Sequence, residues 1–339
     1  MPGFAAQQTP EETHLDGRLR LDVRMTPEDC ADVLHRATRE GLTAAHREVP
    51  SVWLYDHRGS VLFDRITALP EYYLTRTERA LLEDVAGRIA QRTGAEVLVE
   101  LGAGTSDKTR LLLDALQAAG TLRRIVTLDV SAEMLLQSAH QLGERYPDPD
   151  LVAVVGDFER HLPAVPHGGR RLVTFLGSTV GNLDTARRAA FYAEVATSMD
   201  AGDAFLLGVD ITADPEALHA AYNDSQGITE RFIRNALDVL NHRVDARFMQ
   251  SCFDYRAVWR PDAGFMDIGF VANRAHTVAV PGLDLEVPFR AGESLRVEIS
   301  TKFRRAQVEG ELHRAGLRLD TWWQDPAGRF ALVLARKEN

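Results

Sequence analysis

From residue 76 onward, apolar runs of strand length alternate with stretches of 3.6-residue helical period, and that alternation restricts the chain to a parallel sheet flanked by helices. A helix over 76–92 leads into a strand over 96–101, and a helix over 108–119 into a strand over 124–129. A third helix, 132–146, precedes the apolar run 151–156, and runs at 171–176 and 204–209 bring the series to five strands. Right-handed crossovers arrange such a series as a doubly wound α/β sheet with helices on both faces. Near the C-terminus, a helix over 305–315 and two apolar strands, 318–323 and 330–335, read as a closing antiparallel hairpin around Asp325-Pro326-Ala327-Gly328.

The rhythm breaks after residue 214, where one long helical segment, 214–240, is followed by hairpin-like strands near 252–259, 265–272 and 274–280. An inserted module accounts for this. Ahead of the alternating region, 14–76 is irregular and aromatic, with Trp53, Tyr55, Phe63, Tyr72 and Tyr73 and a helix near 26–41, while 1–13 has the small, polar texture of a disordered leader. With 339 residues the chain exceeds most single domains, so a large domain and a smaller one are expected. The net charge of -10 disfavours polyanionic partners, which excludes nucleic acid and an anionic membrane surface from the expected partners. Two distant cysteines, Cys30 and Cys252, form neither a disulfide framework nor a metal-ligand spacing, so no metal is expected. The N-terminus lacks a basic stretch followed by an apolar core, and no run reaches the length of a membrane span, so the expected location is cytoplasmic.

The sharpest local signal is Val97-Leu98-Val99-Glu100-Leu101-Gly102-Ala103-Gly104-Thr105, a buried strand ending in a glycine turn that opens a helix. Glycine permits positive φ there and close approach of a ligand, although the same turn also serves plain strand-to-helix packing. Asp129 and Asp157 fall at the carboxyl ends of the next two strands, where doubly wound folds bind ligands. Asp129 lies about 25 residues beyond the turn, a spacing suited to ribose hydroxyls, and Phe158 offers an aromatic face for a purine. Each acid could instead be part of a helix start signal, as Ser131 and Glu133 after Asp129 illustrate. A dinucleotide fingerprint needs a third glycine where this chain has Asp107, and a pyrophosphate would be repelled by that carboxylate. A sulfonium carries positive charge and no phosphate, so Glu100 and Asp107 favour S-adenosylmethionine over a dinucleotide.

Longer strings then carry a family resemblance. Tyr55-Asp56, Gly59-Ser60, Leu62-Phe63-Asp64, Leu69-Pro70-Glu71-Tyr72-Tyr73 and Thr75-Arg76 are followed by Glu100-Leu101-Gly102 and Gly156-Asp157-Phe158-Glu159. Phe175-Leu176-Gly177-Ser178-Thr179 with Gly181-Asn182-Leu183, then Ala221-Tyr222, and Glu298 with Ser300, Lys302, Phe303 and Arg304 continue the series. From about residue 20 the chain resembles the histidine Nα-methyltransferases of ergothioneine biosynthesis. The resemblance implies a Rossmann-like class I methyltransferase sheet with a second, smaller α+β substrate-binding domain. The cofactor domain would comprise 77–211 and 301–339, and the substrate domain 14–76 and 212–300.

By the same resemblance, Gly102, Lys108, Asp129, Asp157 and Phe158 would hold S-adenosylmethionine, with Tyr55 and Phe63 covering it. Aromatic rings suit a sulfonium through cation–π attraction. Asn182 and Tyr222 would grip the backbone groups of an amino acid, and Tyr72, Glu298 and Ser300 would form the side-chain pocket. Glu298 would accept from an imidazole N–H and Ser300 would serve the other ring nitrogen; alternate residues on a strand share a face. One departure is Phe265-Met266-Asp267-Ile268, in which Ile268 stands where these enzymes carry methionine and reshapes an apolar wall of the substrate pocket. Tyr55 and Asn182 are the expected catalytic residues, aiming the α-amino group for three transfers that give hercynine and S-adenosylhomocysteine. A monomer acting on a free amino acid is expected. The alternatives are an α-N-methyltransferase for another aromatic amino acid, such as tryptophan, and a non-catalytic binding module.

Overall fold

The computed structural model describes residues 11–16, 18–102 and 106–338. In chain order its main elements begin with β1 (Glu11–Asp16), β2 (Leu19–Val23), α1 (Pro27–Thr43), α2 (His57–Thr67), α3 (Tyr73–Thr93) and β3 (Val97–Leu101). There follow α4 (Thr109–Ala118), β4 (Arg124–Asp129), α5 (Ala132–Arg145), β5 (Asp150–Val155), β6 (Arg171–Phe175), α6 (Thr185–Ser198) and β7 (Ala204–Asp210). The inserted region holds α7 (Pro215–Tyr222), α8 (Ile228–Arg243), β8 (Phe253–Arg260), β9 (Phe265–Ala272), β10 (His276–Val280), β11 (Leu285–Phe289) and β12 (Ser294–Thr301). The chain closes with α9 (Arg305–Arg314), β13 (Leu317–Gln324) and β14 (Phe330–Lys337).

The large sheet runs β1-β2-β5-β4-β3-β6-β7-β14-β13. Its strands from β2 to β7 are parallel, and β14 pairs antiparallel with β7 before turning into β13. β3 is buried at every position, the pattern of a strand covered on both faces. Apolar faces of α3, α4 and α5 pack on one side through residues such as Leu82, Leu113 and Leu142. On the other side α6 and α9 pack through Phe191, Val195 and Leu312. This is the doubly wound sheet expected from the alternating runs.

Residues between 42 and 74 share a single core with residues between 218 and 297, including Trp53, Leu54, Leu240, Phe253 and Phe270. That core lies under the three-stranded antiparallel sheet β12-β9-β8, with β10 and β11 as a separate hairpin.

The structure differs from the sequence reading in three places. Part of the supposed leader, residues 11–13, belongs to β1, which pairs antiparallel with β2; residues 1–10 lie outside the described residues. β2 in turn adds in parallel to β5, so this hairpin extends the large sheet, contrary to the grouping of all of 14–76 with the second domain. The segment 214–240 is two helices, because Gly227 takes φ +63 and the Asp224 carboxylate accepts from the backbone N–H groups of Gln226, Ile228 and Thr229, capping α8.

Candidate functional site

Four separate stretches of chain meet in a cleft of about 60 Å³ at the carboxyl ends of β6 and β7. Tyr55, Phe63 and Tyr72 come from the region around α2, Asn182 from the turn after β6, Tyr222 from the end of α7, and Glu298 and Ser300 from β12. All seven were expected at the site from the sequence. Phe232 and Thr229 of α8 also line it, and the apolar periodicity of that helix could have indicated only that they face inward.

One wall is aromatic. The rings of Tyr55 and Phe63 lie edge to face at 5.8 Å, each contacts Phe232, and Phe63 meets Tyr72 at 6.4 Å. Such edge-to-face pairs add to burial by holding ring orientation. The opposite wall is polar, with the Asn182 amide donating to Glu298 Oε1 across 2.9 Å and the Tyr222 hydroxyl donating to Ser300 Oγ across 2.8 Å. Below them Lys302 donates from Nζ to Tyr222 Oη, Ser300 Oγ and Asp210 Oδ2. Tyr73 donates to the same Asp210 oxygen at 2.7 Å. Asp210, Lys302 and Tyr73 were not singled out as site residues; the carboxylate ending an apolar strand, as in Asp129, was the available signal for Asp210.

Burial shapes the protonation of this wall. It pushes the Glu298 carboxyl up to about 7, against the pull of the Lys302 ammonium. It also pushes the phenols of Tyr55, Tyr72 and Tyr222 well above their ordinary value, with neighbouring negative charge adding to the effect. Tyr55 keeps 40% of its surface open, so the crowding falls on its hydroxyl end, beside Glu298, Tyr72 and Tyr222. At neutral pH all three are hydrogen-bond donors and not bases.

Arg296 and Glu298, two residues apart, face opposite sides of β12 because the strand carries a bulge between them. Arg296 pairs with Gly269 and Glu298 with Ile268, leaving Val297 as an extra residue. Arg296 therefore points to the other face, where it joins Arg256 and Arg260 around Asp267. That outer face holds a larger concavity of about 610 Å³, whose Asp267 carboxylate is held below the usual range chiefly by hydrogen bonding and charge from Arg296. Ile268 lies directly across from Glu298 but is fully buried in the core and does not line the cleft.

The expected cofactor residues gather at the rim of β3, β4 and β5. Gly102 adopts φ +68, is exposed, and has open space where a side chain would stand; residues 103–105 of the turn lie outside the described residues. Glu100, buried just before the turn, accepts from Ser106 at 2.6 Å and from Thr109, and burial raises its carboxyl to about 7. Asp129 Oδ1 accepts from the Ser131 N–H, while the α5 cap itself is the Ser131 hydroxyl. Asp157 Oδ1 accepts from the Glu159 N–H, and Phe158 packs 4.9 Å from Phe175. Lys108 is paired with the fully buried Glu78, whose other oxygen accepts from the Gly177 N–H at 2.7 Å. The α2 helix crosses this rim, placing the Ser60 hydroxyl 3.6 Å from Met134 Sδ. Among the described residues no helix is long and apolar enough to cross a membrane.

Residues 34–337 match the family described as histidine-specific, SAM-dependent methyltransferases. The chain is 47% identical over 317 residues to a histidine N-alpha-methyltransferase of Mycolicibacterium smegmatis, spanning 94% of this chain and 99% of that protein. It is 45% identical over 304 residues to a histidine N-alpha-methyltransferase of Mycobacterium tuberculosis, spanning 90% and 95%. An ergothioneine biosynthesis protein 1 of Neurospora crassa is 31% identical over 287 residues, which cover 82% of this chain and 32% of that longer protein.

Proposed function

The chain belongs to the family of histidine-specific, S-adenosylmethionine-dependent methyltransferases, and from that premise we propose that it methylates the α-amino group of L-histidine three times, giving hercynine for ergothioneine synthesis. The observation that carries this reading is the meeting of Asn182, Tyr222, Glu298 and Ser300 in one cleft beside the aromatic wall of Tyr55, Phe63 and Tyr72.

The rim of β3 to β5 suits a sulfonium cofactor. Gly102 leaves its backbone open to a ligand, and the nearby carboxylates and aromatic rings favour a cation and disfavour a pyrophosphate. Gly102, Lys108, Asp129, Asp157 and Phe158 would hold it, with Tyr55 and Phe63 above. When bound, S-adenosylmethionine supplies an electrophilic methyl group for in-line displacement.

The protein's own task is to aim a neutral amine. Asn182 and Tyr222 hold the amino acid's backbone groups, and Glu298 with Ser300 bond the ring. Tyr55, kept protonated, orients the amine by accepting one of its N–H groups at the phenol oxygen, which leaves the lone pair free to attack, and the proton each methylated ammonium sheds before the next transfer passes to solvent. A free α-amino group titrates near pH 8, so a neutral fraction is present at working pH. A pocket that bonds a polar ring rejects apolar rings, because its own polar groups would be left unpaired. The enzyme acts as a cytoplasmic monomer on a free amino acid, in keeping with the net charge of -10, which disfavours polyanionic partners.

Methyl-labelled S-adenosylmethionine incubated with each protein amino acid in turn tests the reading. Label should enter histidine and accumulate as the trimethylated product. Label in tryptophan and none in histidine would overturn it.

A further inference from the structure

We propose that Lys302 is a positioning residue that fixes the hydrogen-bonding sense of the ring-binding end of the amino-acid cleft, turning the Ser300 hydroxyl proton toward the substrate. The inference deepens the histidine reading and rests on it.

An ammonium has three protons and no lone pair. Those of Lys302 meet Asp210 Oδ2 at 2.8 Å, Tyr222 Oη at 2.9 Å and Ser300 Oγ at 2.7 Å, and its side chain is 2% exposed. Each hydroxyl therefore has an oxygen lone pair occupied from below. Ser300 Oγ also accepts from Tyr222 at 2.8 Å, so with two donors already aimed at it, its own proton is left to point into the cleft it lines. Tyr222 keeps this bond to Ser300 when substrate is present and meets the amino acid's backbone groups through its remaining acceptor capacity.

Glu298 stands two residues along the same strand and lines the same cleft. When ionised it can only accept, whereas Ser300 is made to donate. One acceptor and one donor facing the same ring match a neutral imidazole, which offers one N–H and one bare nitrogen. Without Lys302 the serine hydroxyl could rotate to donate elsewhere or accept from the ring, and the pattern would no longer be imposed. Asp210 completes the device by balancing the buried charge, and Tyr73, through its bond to Asp210, fixes that carboxylate to α3.

The test uses the full chain saturated with S-adenosylhomocysteine and measures, by calorimetry, affinity for histidine and for 3-(2-thienyl)alanine, whose five-membered ring lacks both nitrogens. Lys302→Met removes the donors at nearly constant length, and Lys302→Met with Asp210→Asn removes the pair together, so that no unpaired buried carboxylate threatens folding. Histidine affinity should fall about 30-fold or more in the double variant, with thienylalanine affinity changing much less and S-adenosylhomocysteine affinity unchanged. Equal losses for both amino acids would reduce Lys302 to a general structural role, and unchanged histidine affinity would also overturn the proposal. If the unsubstituted protein bound no histidine, the substrate reading itself would fail, an outcome separate from either result with the variants.

Discussion

The Asn182 side chain donates to Glu298 Oε1 at 2.9 Å, so the turn after β6 of the large sheet is tied directly to β12 of the inserted sheet. The contact places a donor against a carboxyl that burial has already pushed up to about 7. A hydrogen bond to the ionised form favours that form. Asn182→Ala should therefore raise the Glu298 pKa further and displace the pH dependence of histidine capture toward alkaline values, which a kcat/KM profile would reveal. An unshifted profile would mean that the bond does not persist in solution.

Ionised Glu298 is the stronger acceptor for an imidazole N–H, so kcat/KM for histidine should climb as pH rises through about 7. The ratio of wild type to Glu298→Gln cancels the substrate's own titration and should carry this rise; a ratio independent of pH would exclude it. Stability runs the other way. The folded-state value lies above the ordinary 4.5, so this group's contribution is complete below about 4.5 and is lost as pH rises through about 7. Urea midpoints of wild type should accordingly fall relative to Glu298→Gln across that window.

Tyr222→Phe deletes the donor to Ser300 and the acceptor of a buried Lys302 proton. Leaving a buried donor unsatisfied costs about 1–3 kcal/mol. The KM for histidine should rise about tenfold or more, while the KM for S-adenosylmethionine stays nearly constant. A change confined to the cofactor KM would remove Tyr222 from the amino-acid cleft.

At Gly102, φ is +68 and no neighbour obstructs a side chain, so Gly102→Ala meets strain and not a clash. The left-handed conformation costs a residue with a Cβ about 1–2 kcal/mol. Affinity for S-adenosylhomocysteine should drop by about tenfold or more, since the added methyl group occupies the face the ligand would approach. Calorimetric titration measures this, and retention of wild-type affinity would place the cofactor away from the turn.

Glu78 is fully buried between Lys108 and the Gly177 N–H, and it leaves no room for a larger residue at Gly208, where a Cβ would stand 2.3 Å from its Oε1. Lys108 is partly exposed, so removing Glu78 strands chiefly the Gly177 N–H, at a cost of about 1–3 kcal/mol. Glu78→Ala should lose stability on that scale in urea denaturation; a loss below about 1 kcal/mol would show the pair to be dispensable.

The large sheet was legible because burial on both faces imprints continuous apolar runs, and the places of Gly102, Asp129 and Asp157 at strand ends followed from the same runs. The cleft residues were legible only through long family-like strings, since Asn182 alone reads as a turn residue and Tyr222 as helix packing. Three things escaped. The Tyr73–Asp210–Lys302 chain joins residues far apart in sequence, and Tyr73 is masked by its neighbour Tyr72, which faces the cleft while Tyr73 faces Asp210. The helix break at Gly227 depends on Asp224 folding back onto three amides, which apolar periodicity does not register. Strand β1 exists because β2 adds to the exposed edge of β5, a tertiary event with no local signature.

The additional residue at Val297 divides β12 into two independent frames of alternation, one ending at Arg296 and one beginning at Glu298. Loss of Val297 alone would leave Arg296 and Glu298 pointing as they do now, whereas a deletion farther along the strand would turn Ser300 away from Glu298. The arginine-rich outer surface and the face that carries Glu298 and Ser300 are thus geometrically independent, and Val297 is a position of β12 whose loss keeps both facing as they do.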